Sequence, residues 1–123
     1  MKRVILESPF AGEVERNLKY GRACVRDSLL RGESPIASHL LYTQDGVLDD
    51  TVPAERAHGI DAGLAWRDVS DGTVVYTDFG ISRGMEYGIR RAKESGKTVD
   101  ERTLPADVLA KLFPDLFPVA LPA

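Results

Sequence analysis

The chain has little from which to build a metal site, a disulfide framework or a membrane span. Among 123 residues there is one cysteine, Cys24, and there are two histidines, His39 and His58. A single cysteine excludes an internal disulfide and fits a reducing compartment. With two histidines it makes no recognisable zinc set, and neither a metal nor another cofactor is expected. No apolar run approaches the ~20 residues that a membrane span needs. The apolar stretch behind Met1-Lys2-Arg3, Val4 to Leu6, is too short for the core of a signal peptide. A net charge of −3 and a pI near 5.4 argue against a general nucleic-acid binder, whose footprint is basic. They argue equally against docking on anionic lipid. The expectation is a cytoplasmic protein that binds neither a nucleic-acid polymer nor a membrane.

What is present is ordinary globular composition, 43% hydrophobic and 28% charged, with room for one core. Val4-Ile5-Leu6 reads as a buried strand that ends in Ser8-Pro9-Phe10-Ala11-Gly12. A helix is predicted over Glu13 to Arg31, with Val14, Leu18, Cys24, Val25 and Leu29 as its apolar positions and Gly32 as its stop. Ser34 to Ser38 is a weaker strand, placed at an edge by Pro35. His39 to Asp50 reads as a long functional loop. A second helix is predicted from Thr51-Val52-Pro53 to about Arg67, capped by Thr51. Thr73 to Thr77, TVVYT, is the clearest strand. Ser82 to Ser95 is the next helix, Thr98-Val99 a short strand, and Pro105 to Phe113 a last helix. The apolar end, FPDLFPVALPA, either docks on its own domain or covers a neighbouring subunit, and a homo-oligomer is expected.

Strands alternating with helices imply a parallel sheet covered on both faces. The predicted fold is α/β: a single-domain three-layer sandwich, Rossmann- or flavodoxin-like, with four to five parallel strands. Residues 1–112 form the domain and 113–123 the tail.

In such sheets ligands bind outside the carboxyl ends of the strands. That rule collects Glu7, Ser8, Pro9, Phe10 and Gly12 from the first strand, and Ser38 and His39 from the second. The third delivers Asp78 to Glu86, and the fourth Arg102. The third turn, DFGISRGMEYG, is the richest. Ser82 can cap the following helix, and Gly80 and Gly84 allow close backbone approach. Free amides at the helix start attract an anion or a polar sugar. Asp78 and Glu86 are a carboxylate pair able to divide labour between nucleophile and acid. For Glu86 alone, stabilisation of the helix start by its charge is an equally good reading.

The segment Gly84-Met85-Glu86-Tyr87-Gly88 resembles the Gly-x-Glu-x-Gly signature of nucleoside 2-deoxyribosyltransferases and related nucleotide N-glycosidases. The Ser8-Pro9 loop and the acid-ended strand before the motif are similar as well. The nearest look is to small phage-type members of that superfamily, which also carry Ser-Arg-Gly, as in Ser82-Arg83-Gly84. The resemblance implies that Glu86 is a nucleophile for C1′ of a ribosyl or deoxyribosyl group. It implies that Asp78 is the acid aiding departure of the base, and it makes Asp61 a looser match to a second family carboxylate. Ser8, Gly12, Ser82 and Arg83 would hold the sugar or a 5′-phosphate. The expected partner is thus a small nucleoside or nucleotide, cleaved at its N-glycosidic bond or held without cleavage as a signal.

Other patterns carry less. Asp78-Phe79-Gly80 spells a kinase metal motif in a chain without the other kinase motifs. Asp45, Asp49, Asp50 and Glu55 lack calcium-loop spacing and read as a solvated loop. Cys24 reads as a small buried hydrophobe. Trp66 and Tyr87 read as core or interface residues.

Overall fold

The structure is a computed structural model, and it describes residues 1–118. Its elements are β1 (Arg3–Glu7), α1 (Val14–Leu30), β2 (Ser34–Ile36), α2 (Ser38–Leu41) and α3 (Pro53–Ala65). A 3₁₀ turn (Trp66–Val69), β3 (Gly72–Tyr76), α4 (Arg83–Glu94), β4 (Thr98–Arg102) and α5 (Ala106–Leu112) follow. The four strands form one all-parallel sheet in the order β2-β1-β3-β4. The α/β architecture with helices flanking a parallel sheet is therefore as predicted, and β2, which carries Pro35, lies at an edge.

Strand alternation divides the core. Val4 and Leu6 of β1 and Val74 and Tyr76 of β3 point to one face. There they pack with Tyr20 and Cys24 of α1 and with Leu104, Leu109 and Phe113 around α5. Ile5 and Glu7, with Thr73 and Val75, point to the other face. That side is covered by α4 through Met85 and Ala92, both 1% exposed. Right-handed crossovers place α3 on the same side as α4. All five residues of β3 are buried, which explains why its β-branched run was the clearest strand signal.

Local readings are corrected in four places. The buried face of α1 is Asn17, Tyr20, Gly21, Cys24 and Ser28, whereas Val14 and Leu29 are 39% and 54% exposed. Polar residues hold the inner face because each finds a partner; Ser28 Oγ, for example, donates to Glu33 at 2.8 Å. The presumed loop at His39 begins as the short helix α2. Thr51 does not cap α3: its amide and hydroxyl both bond Asp49 Oδ1, at 2.9 and 2.6 Å. Strand β4 runs on to Arg102, paired in register with β3. At the carboxyl end, Phe113 belongs to the core and Phe117 packs against it. This part of the presumed tail therefore lies on its own domain, and residues 119–123 fall outside the described residues. Among the described residues no helix is long and apolar enough to cross a membrane.

Candidate functional site at the sheet switch point

The chain leaves β1 toward β2 and leaves β3 toward β4, so the strand order reverses between β1 and β3. A crevice at the carboxyl ends of these two strands is where doubly wound sheets bind ligands. Two loops end at this edge, residues 8–13 after β1 and residues 77–82 after β3, and only the first of them lines the cleft described below.

The first loop is tied down from below. Asn17, fully buried, donates from Nδ2 to the carbonyls of Phe10 at 2.9 Å and Ala11 at 3.3 Å. Ser8, 4% exposed, shares a 2.7 Å hydrogen bond with Nε2 of His39, brought alongside by α2. Burial holds the His39 pKa down to about 4. The imidazole is therefore neutral at pH 7, with one ring nitrogen as donor and the other as acceptor. Pro9 is buried, while Phe10, Ala11 and Gly12 form one wall of an open cleft of about 890 Å³. Gly12 adopts φ +95°, a conformation that favours glycine. The opposite wall is the segment Thr43 to Thr51 with Glu55 and Arg56 of α3. A smaller cavity of about 80 Å³ beside it is lined in part by His39. The cleft carries four carboxylates, Asp45, Asp49, Asp50 and Glu55, against the single guanidinium of Arg56.

The second loop is anchored to the opposite face. Oδ2 of Asp78 accepts from the Tyr20 hydroxyl at 2.6 Å and from the Leu104 amide at 3.0 Å. The Tyr20 oxygen in turn accepts from the Asp78 amide at 3.0 Å. Phe79 meets Tyr20, Phe113 and Phe117 edge-on and lies 4.3 Å beneath the Arg16 guanidinium. Arg16 also donates to Asn17 Oδ1 at 3.1 and 3.2 Å, which couples the two loops. Gly80 turns the chain at φ +82°. Ser82 caps α4 as the sequence predicts, its hydroxyl accepting from the Met85 amide at 3.4 Å. Arg83, Gly84 and Glu86 are exposed at the start of the helix.

One side chain was placed at this edge by strand order but given no role of its own. Glu7 closes β1 opposite Val75 and points to the face covered by α4. Its carboxylate lies against Gly88, where a Cβ would overlap it, so the second glycine of GMEYG makes room for it. Burial alone pushes the Glu7 pKa up to about 8, with no charged neighbour contributing. Successive residues of an α-helix are turned by about 100°. Glu86, two residues before Gly88, therefore projects from nearly the opposite side of α4.

Residues 2–102 match a family described as a domain of unknown function, DUF7768. The chain belongs to that family. No curated protein and no solved structure matches it. The DUF7768 span runs from β1 through β4 and contains both loops of the switch point, Glu7, His39 and the whole GMEYG motif; α5 lies beyond it.

Two further residues of this DUF7768 chain sit away from the crevice. Asp61 is exposed on α3. Arg102, expected at the ligand edge, is instead drawn into a nearly buried ion-pair network. It grips Glu33 through both nitrogens at 2.7 and 3.0 Å and Asp100 at 2.6 Å. The residues of this edge absent from the sequence reading are thus Asn17 and Tyr20, while Glu7 was placed there without a role. Asn17 and Tyr20 share a helix face at spacing i, i+3, but neither is among the apolar positions from which that helix was read.

Proposed function

We propose that the protein cleaves the N-glycosidic bond of a nucleoside or nucleotide, as a hydrolase or a deoxyribosyltransferase. The observation that carries this reading is the position of the Gly84–Gly88 motif. The helix it opens starts at the switch-point edge, with the Glu86 carboxylate exposed in its first turns. In such chemistry Glu86 attacks C1′, the base departs with a proton, and water or an acceptor base resolves the glycosyl-enzyme. Ser8, His39 and the Phe10–Gly12 wall would hold sugar and base. The acidic rim of the cleft suits these uncharged portions, and a 5′-phosphate would fall instead to Arg83 and the start of α4.

The test is incubation with a panel of nucleosides and nucleoside monophosphates, with free base resolved by chromatography. Base release by the wild type, lost in a folded Glu86→Ala variant, is the expected result. No free base from any member of the panel would overturn the catalytic reading.

A second reading, a non-catalytic binder of a nucleotide-derived signal, is favoured by one observation. Asp78, the acid that the resemblance names, already spends Oδ2 on Tyr20 and Leu104. Thermal stabilisation by a nucleotide without turnover would select it.

A further inference from the structure

The cavity of about 80 Å³ beside the cleft shares Thr43, Asp50, Glu55 and Arg56 with it, so a ligand in the one reaches the other. His39 and Tyr42 line only the smaller space. Each keeps one hydrogen-bond donor in reserve. Ser8 is 4% exposed, and within the described residues the one acceptor for its hydroxyl is Nε2 of His39 at 2.7 Å. The Ser8 proton therefore goes to Nε2, and the imidazole, which burial keeps neutral, carries its own proton on Nδ1. Nδ1 has no partner within the described residues. Among them, the side-chain polar atoms that are both sealed and unpartnered belong to Arg67, so Nδ1 is open to the space that His39 lines. The Tyr42 hydroxyl accepts from Nε1 of Trp66 at 3.0 Å, because an indole only donates. Its own proton has no acceptor within the described residues.

We propose that this cavity reads the edge of an oxo base, with the carbonyl oxygen bound by His39 and Tyr42 and the adjoining ring N–H given to Asp50 or Glu55. The inference rests on the reading of the cleft as a nucleoside or nucleotide site and names the class of base; it holds whether the ligand is cleaved or only bound.

The count of donors and acceptors decides the class. A carbonyl oxygen has two lone pairs and takes both donors. The neighbouring N–H of hypoxanthine, guanine, uracil or thymine then meets a carboxylate. Asp50 is half-buried and has no partner within the described residues, while Glu55 accepts the Asp49 amide on Oε1 at 3.2 Å and keeps Oε2. Adenine and cytosine reverse the pattern. Their amino group brings a donor to the place of the carbonyl, and their ring nitrogen turns a lone pair toward the carboxylate. A donor then faces a donor and an acceptor faces an acceptor, which is the costly arrangement. Arg56 is exposed, so water satisfies its donors.

The experiment is isothermal titration calorimetry of the full chain at pH 7 with inosine against adenosine and with uridine against cytidine. The members of each pair differ only along this edge. Inosine and uridine should bind at least ~10-fold tighter than their amino counterparts. Tyr42→Phe removes one donor and should lower each ratio roughly 5-fold. Ser8 is a positioning residue: Ser8→Ala lets either ring nitrogen of His39 hold the proton and should lower the same ratios. Nitrogen NMR of the imidazoles, assigned with His58→Gln, should find the wild-type His39 proton on Nδ1. Equal affinity within both pairs, a preference for the amino bases, or ratios unchanged in Tyr42→Phe would overturn the assignment and leave the nucleoside reading standing. A His39 proton on Nε2 would overturn it as well. If Ser8→Ala fails to fold, Tyr42→Phe and the wild-type NMR decide. If none of the four nucleosides binds and no base is released from any, the nucleoside reading falls and the assignment falls with it.

Discussion

The raised pKa of Glu7 has a consequence for stability that needs no substrate. A carboxyl group with an ordinary value of 4.5, pushed to about 8 in the folded protein, keeps its proton over a range in which the unfolded chain has lost it. The native state then binds more protons than the unfolded state, so stability falls as pH rises from about 4.5 and levels off above about 8. The full displacement corresponds to about 5 kcal/mol at ~1.4 kcal/mol per tenfold change. Solvent contact with a partly exposed carboxylate screens part of that, which leaves at least about 2 kcal/mol. Glu7→Gln keeps the shape and removes the titration. The variant should match the wild type at pH 5 and exceed it by at least about 2 kcal/mol at pH 8.5, a midpoint shift of at least about 1 M in urea. Urea unfolding followed by circular dichroism at the two pH values measures this directly. His39 adds its own pH dependence at the acid end, but equally to both proteins, so it cancels in the difference. If wild type and variant differ by the same amount at pH 5 and pH 8.5, Glu7 titrates normally and its burial against Gly88 is misjudged.

Two other perturbations follow from the same network. Tyr20→Phe removes the hydroxyl that Asp78 uses twice, as acceptor for its amide and as donor to Oδ2. It should cost about 1–3 kcal/mol in urea unfolding, because the Asp78 groups lose a partner in a partly buried site. His39, held neutral down to about pH 4 against an ordinary 6.5, works in the opposite sense to Glu7. The unfolded chain takes up a proton that the native ring refuses, so stability is lost as pH falls from about 6.5 toward 4, and His39→Gln should flatten that acid limb in the same assay.

The parts of the fold legible in the sequence are those where burial and local propensity agree. TVVYT is both β-branched and buried on its two faces, so its composition and its place in the sheet give the same answer. Gly32 and Gly96 follow α1 and α4 with φ of +86° and +71°, and helix ends could be placed from them alone. The inner face of α1 was not legible, because apolar periodicity presumes that inward positions are apolar. Asn17 and Ser28 are inward and polar, and each is satisfied by a group in the loop just beyond a helix end, which helical spacing does not reveal: the Phe10 carbonyl and the Glu33 carboxylate. Arg102 went astray for a related reason. A charge at a strand end looks solvated until Glu33, 69 residues away in sequence, is found beside it.

The site divides along the same line. The switch point follows from strand order, and strand order follows from right-handed connections, so the edge could be named in advance. Which carboxylate is buried beneath α4 could not, because that depends on the parity of β1 and the phase of α4 together. In RVILE the alternation that buries Val4 and Leu6 on the α1 side commits Glu7 to the α4 side. In GMEYG the rotation that sends Met85 and Ala92 inward brings Gly88 over Glu7 and carries Glu86 away from it. Each half of this arrangement is readable by itself, a charged residue closing an apolar strand and a glycine in a helix interior where it costs about 1 kcal/mol. Their common explanation is a contact between residues 81 positions apart. A glycine placed there at that cost, facing a carboxyl group that no other described residue binds, leaves room in the helix–sheet interface for one protonated side chain.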